Sequence, residues 1–229
     1  MPKQVVPGIR EFLQDYPRMA IRPTPEVSVL TLSGTFDFSA KPKNADEITD
    51  SYRLRISVPS AFPRSLPTVM ETGNRIPCNG EYHVNYDGTL CLGAPLRLLC
   101  QLSQKPTLSG FAEKCLVPYL YAISYKLKFG GDLPFNELPH GTPGELCDYA
   151  DLFGLNEQDQ VIAALRLLTM KKRHANKYPC PCGCGRRLSK CSFNDRLRKL
   201  RDLADRSWFR SLCVVSQQKW DTLEPNTLW

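Results

Sequence analysis

Tyr52, Leu54, Ile56 and Val58 alternate with Arg53, Arg55 and Ser57, and prolines follow at once at positions 59, 63 and 67. Period two with one polar side is the pattern of a strand that rests on a core and keeps its other face in water. Proline lacks the N–H that a central ladder needs, so residues 58–67 are expected to leave the sheet as an ordered crossing loop. A further extended segment is expected at 68–71. Residues 27–38, rich in β-branched and aromatic side chains, form an earlier strand, with the charged stretch 41–50 as the hairpin loop between the two. Residues 8–16 set Ile9, Phe12 and Leu13 on one side of a short helix closed by Pro17. An α+β fold follows, an antiparallel sheet flanked by helices.

The chain has 229 residues, 42% of them hydrophobic, enough to bury a substantial core in one medium domain or in one domain plus a small appendage. Its N-terminal residues lack the basic flank and apolar stretch of a secretion signal, and no segment reaches the roughly 18 uninterrupted apolar residues of a membrane span. A cytoplasmic protein with no membrane partner is therefore expected. Of the ten cysteines, Cys180, Cys182, Cys184 and Cys191 crowd together too closely for ordinary disulfide pairing, which points to metal or thiol chemistry. Charge is also uneven. The net +7 is more than accounted for by residues 171–210, which hold thirteen Lys and Arg against three Asp. Such a face suits nucleic acid or an acidic protein partner, and equally a solvated helix surface.

Residues 110–126 have helical spacing through Ala112, Leu116, Tyr119, Leu120 and Ile123, with Pro118 either a kink or the true start. Turns are expected at 129–134 and 137–144. A helix over 156–170 buries Val161, Ala164, Leu165 and Leu168, and another carries Leu197, Leu200, Ala204 and Trp208, capped by Ser192. The expected division is a domain at 1–155 and a basic helical region at 156–229.

The run from Tyr82 to Gly93 places Cys91 beside His83, Asn85 and an Asp87-Gly88 turn. A thiolate is soft enough to attack a thioester, and a neighbouring amide can receive the developing oxyanion, so Cys91 is the candidate nucleophile. A buried core cysteine is the alternative reading of the same residue. No glycine-rich nucleotide fingerprint is present, so activation of an acyl group would fall to a separate enzyme.

Phe62-Pro63 with Pro67, His83-Val84-Asn85, and Asp87-Gly88-Thr89-Leu90-Cys91-Leu92, met in this order after two strands, resemble the ubiquitin-conjugating enzymes over about residues 8–128. The resemblance implies that family's fold. It also implies Cys91 as the carrier of a ubiquitin-like protein's C-terminal glycine, Asn85 as the group that stabilises the intermediate, and His83 as a brace of the loop. Val84 stands where the family has proline, and the interval from Asn85 to Cys91 is about two residues short. Residues 137–144 resemble a loop of bacterial relatives, which brings His140 toward the groove. A cysteine protease built on Cys91 and His140 lacks a third orienting group.

Residues 180–191 resemble the SEC-C zinc motif. Thiolates at this spacing suit tetrahedral zinc, which supplies folding energy that so small a segment cannot draw from a core, and four of them leave no open position for catalysis. The motif ordinarily ends in two adjacent ligands. Here Ser192 follows Cys191, so Cys184 is the replacement fourth ligand, with His174 as runner-up. Bacterial relatives of this kind are associated with anti-phage operons of the CBASS type, in which the modified protein is a nucleotidyltransferase. Two functions stay open: a thioester-carrying conjugating enzyme, and a catalytically idle adaptor whose basic zinc knuckle holds protein or nucleic-acid partners.

Overall fold

A computed structural model describes residues 6–23, 29–43, 45–131 and 142–221, and the chain divides into two compact units, 1–137 and 138–229. The first unit contains α1 (Ile9–Asp15), β1 (Met19–Arg22), β2 (Val29–Ala40), β3 (Ile48–Pro59) and β4 (Thr68–Glu71). After a 3-10 turn at Gly80–Tyr82 come α2 (Pro95–Leu102), α3 (Leu108–Phe111), a π-helical segment at Ala112–Leu116 and α4 (Val117–Phe129).

The four strands form one antiparallel sheet in the order β1-β2-β3-β4. Tyr52, Leu54, Ile56 and Val58 are at most 2% exposed while Arg53 and Arg55 face outward, so the alternation does set the register of β3. Each such side chain contributes about 1.5–3 kcal/mol on burial. Leu32 and Phe36 of β2 and Leu116, Leu120 and Ile123 close the same core. The proline-rich segment is ordered, but it crosses nothing: β4 pairs with its sequence neighbour β3, Ser57 opposite Thr68, so the loop simply turns the chain back. β3 also starts at Ile48, inside the stretch expected as a loop, because Ile48 pairs with Ala40 and buries its side chain.

Pro118 lies within a continuous helical run over 108–129, since Phe111, Leu116 and Val117 all keep right-handed helical angles. It stands in the first turn of α4, and the π-helical segment just before it accommodates the missing N–H.

In the second unit α5 (Thr142–Phe153), α6 (Gln158–Thr169) and α7 (Lys172–Ala175) precede a 3-10 turn at Leu188–Lys190, then α8 (Phe193–Leu203) and α9 (Arg206–Asp221). Val161, Ala164, Leu165 and Leu168 are buried as the spacing predicts. Because α5 packs on α6 and α9, the division falls between residues 137 and 138, ahead of the expected 155/156 boundary. Two further expectations are corrected. Ala204 is extended and ends α8, so Trp208 belongs to a separate helix. Ser192 precedes α8 with helical backbone angles (φ −60°, ψ −21°), which turns its hydroxyl away from a capping bond; its carbonyl accepts the Asp195 N–H instead, at 2.9 Å. Among the described residues no helix is long and apolar enough to cross a membrane.

Candidate functional site

Cys91 ends a miniature hairpin. The Asn85 N–H donates to the Thr89 carbonyl at 2.8 Å, Val84 bridges Leu90, and the Cys91 N–H donates to the His83 carbonyl at 2.8 Å. Gly88, at φ 81°, supplies the left-handed residue that so tight a return needs, and Asp87 fixes it by accepting from the Thr89 N–H at 2.9 Å and the Thr89 hydroxyl at 2.6 Å. These donors hold the Asp87 carboxyl below its ordinary value, the Thr89 hydroxyl contributing most. Leu90 is buried and its N–H donates to the Val69 carbonyl at 2.8 Å, which fastens the hairpin to β4.

Pairing decides what faces outward. Val84 and Leu90 pack inward against the core, so the next residues along each arm, Asn85, Thr89 and Cys91, lie on the opposite face. Cys91 is half-buried there. The Asn85 amide nitrogen donates to the Thr89 hydroxyl at 3.0 Å. Since that hydroxyl already donates to Asp87, it must accept from Asn85, which fixes the amide orientation and leaves the second Nδ2 hydrogen outside this chain of bonds.

Helix α4 braces the turn ahead of the cysteine. The Tyr119 hydroxyl donates to the Tyr82 carbonyl at 2.8 Å, and Lys126 donates to the Glu81 carbonyl at 3.1 Å while lying over the Tyr82 ring. Burial, then the nearby Cys91 thiolate charge, push the Tyr119 hydroxyl well above its ordinary range, so it stays a donor throughout the working pH. His83 closes the 3-10 turn in a left-handed conformation, φ 51°.

In the second unit the sulfurs of Cys180, Cys182, Cys184 and Cys191 lie within 4.8 Å of one another and could hold a metal ion. Cys180 and Cys182 are 3.2 Å apart, and Cys182 and Cys191 3.6 Å. Four thiolates around a tetrahedral ion, with metal–sulfur bonds of about 2.3 Å, stand about 3.8 Å apart, so the cluster has the size such an ion needs. The Cys180 N–H donates to the Arg186 carbonyl at 2.8 Å, closing a short hairpin. Gly183 and Gly185, both at positive φ, let its sulfurs converge. The Arg186 N–H, with its guanidinium, lowers the Cys184 thiol to about 6, and the Phe193 N–H lowers that of Cys191. Burial raises Cys180. His174 is not in this cluster, and His140 lies outside the described residues.

Sequence reasoning singled out Cys91, Asn85 and His83 but passed over Thr89 and Tyr119. An Asp-x-Thr pattern ahead of a cysteine is the signal for the first, because an Asp side chain characteristically bonds the backbone two residues on. For Tyr119 no local signal exists, since its partner is 37 residues away. Comparison of the chain with protein-family models, with curated proteins and with solved structures gives no match in any of the three.

Proposed function

We propose that the first unit is a ubiquitin-conjugating-like acyl carrier. Its Cys91 accepts the C-terminal glycine of a ubiquitin-like or other glycine-terminated protein from a separate activating enzyme and passes it to an amine. In the first step the Cys91 thiolate attacks the activated carbonyl carbon, a carbon–sulfur bond forms and the donor leaves as a thiolate. In the second, an acceptor amine attacks the thioester, an amide forms, Cys91 departs as thiolate and the amine proton passes to solvent. Asn85 steadies the oxyanion with its second Nδ2 hydrogen. His83 serves through its backbone, as the carbonyl that receives the Cys91 N–H. The setting implied by the bacterial resemblance is cytoplasmic anti-phage defence, with a CBASS-type nucleotidyltransferase as a candidate cargo. The second unit holds structural zinc on its four cysteines.

One observation carries this reading: a half-buried thiol on the same hairpin face as an amide whose orientation is locked by Thr89 and Asp87. Its test uses a synthetic peptide ending in Gly-Gly thioester, which needs no activating enzyme. Intact-mass analysis should find one peptide per chain, released by dithiothreitol and absent from Cys91→Ala at unchanged circular dichroism. Retention of the adduct in that variant, or its mapping to the exposed Cys78, would remove the assignment.

A further inference from the structure

In two concavities of the second unit, half of the lining residues are Lys or Arg. One, of about 420 Å³, is bordered by Lys171, Arg173, His174, Tyr178, Arg206 and Arg210. The other, of about 450 Å³, shares Arg206 and Arg210 and adds Arg201 of α8 with Ala204, Asp205 and Ser207 around the α8–α9 junction. Asp205 is the one acidic residue in either lining. Arg201 donates from Nη2 to the Leu167 carbonyl at 2.8 Å, while its Nε and Nη1 are buried without a protein partner. Those two nitrogens are closed off from the concavity, so Arg201 adds to its field as a nearby positive charge rather than as a direct donor. Tyr178 is 49% exposed at the edge of the first concavity.

From this juxtaposition we infer that the face made by residues 169–178 and 201–210 binds single-stranded nucleic acid, successive phosphates resting on the exposed Arg206, Arg210, Lys171 and Arg173, and a base stacking on Tyr178. Two continuous cationic hollows joined through shared arginines match an extended polyanion better than a lone phosphate. An exposed ring beside guanidinium groups fits the repeating phosphate-and-base pattern of a single strand, in which every charged unit brings a stacking face. The thiolate cluster helps to build the face: the Leu188 N–H donates to the Tyr178 carbonyl at 2.9 Å, and Pro179 bridges Arg187, so the hairpin that carries the sulfurs sets the position of Tyr178. Nothing in this inference depends on Cys91.

Fluorescence anisotropy of the metal-loaded full chain with labelled oligothymidylate and oligouridylate of roughly 20 nucleotides tests it, a length beyond what one small module covers. Affinity should fall steeply between about 50 and 200 mM salt. Arg206→Ala with Arg210→Ala, both exposed side chains, should weaken binding at least about tenfold and flatten the log–log salt slope by roughly 1.4, about 0.7 for each phosphate no longer neutralised. Tyr178→Ala should weaken it about fivefold or more with the slope unchanged, which separates stacking from charge. The inference fails if neither oligonucleotide binds at about 50 mM salt, or if the double variant keeps wild-type affinity. It also fails if a polyglutamate peptide displaces the oligonucleotide at equal charge concentration, which would make the occupant an acidic protein.

Discussion

Burial alone would push the Asp50 carboxyl up, yet hydrogen bonds from Arg75, Ser124 and the Ser51 N–H together outweigh it and hold the group below its ordinary 3.8. Ser124 donates to Asp50 Oδ2 at 2.8 Å, so the 2.7 Å contact between Tyr52 and Ser124 has the tyrosine as donor. The Arg75 guanidinium lies over the Tyr52 ring, 4.6 Å from its centre, and also donates to Asp50. One carboxylate thus ties β3, α4 and the segment after β4 together. A carboxyl whose folded pKa is depressed adds stability that is present above its unfolded value and is lost as pH falls through the lower folded value. Asp50→Asn should therefore destabilise the first unit by about 1–2 kcal/mol at neutral pH. Urea unfolding repeated below the ordinary carboxylate value should show the gap to wild type closing. A gap independent of pH would mean that the network acts through shape rather than charge.

At the scale of elements, the hairpin before Cys91 is the part whose function depends most on local bonding. Asn85 is oriented through Thr89, and Thr89 through Asp87, so Thr89→Val keeps the residue's volume but releases the amide. Loss of a fixed oxyanion donor costs about a hundred- to a thousandfold in rate. Asn85→Ala should slow transfer from the Cys91 thioester to an amine by that order, and Thr89→Val by a smaller part of it, with loading of Cys91 unchanged in both. Single-turnover discharge to free lysine separates the two steps; equal loss of loading and discharge would show that the hairpin had collapsed. The amphipathic elements were readable from sequence because their periods are intrinsic to strand and helix: β3, α1, α6 and the buried Leu197 and Leu200 of α8. β1 left little trace, because it buries only Met19 of its four residues. α2 did leave one, Leu96, Leu98, Leu99 and Leu102 at helical spacing behind Pro95, which the sequence reading did not take up. The break at Ala204 was hidden because Ala204 is buried and so continues the stripe, although Asp205, whose carbonyl accepts the Phe209 N–H, marks a new helix start. Of the candidate site, the cysteines at both places were visible as types and spacings, whereas the outward face of the hairpin needed the pairing of Val84 with Leu90.

For the whole molecule, the two units have separate cores, and the four-cysteine cluster belongs to the second. Cys180 to Cys191 enclose too little apolar surface to fold alone, with Pro181 and Leu188 the buried apolar side chains between them. Helices α6, α8 and α9, in contrast, bury Val161, Leu165, Leu168, Leu197 and Phe209 among themselves. On the proposal that the cluster holds zinc, a strong chelator should melt residues 176–192 while leaving those helices formed, because the binding energy of such an ion would be the folding energy of that hairpin alone. The tryptophans offer a clean readout, since all three lie beyond residue 137, in the second unit. Chelation should shift tryptophan emission modestly and remove only a small part of the helical circular dichroism, with the Cys91 adduct forming as before and oligonucleotide binding weakened because Tyr178 loses its support. Cys180→Ser should reproduce this state and abolish binding of about one zinc per chain. Full loss of helical signal on chelation would instead make the ion the keystone of the whole second unit, and unchanged metal content in Cys180→Ser would show that these thiolates are not its ligands.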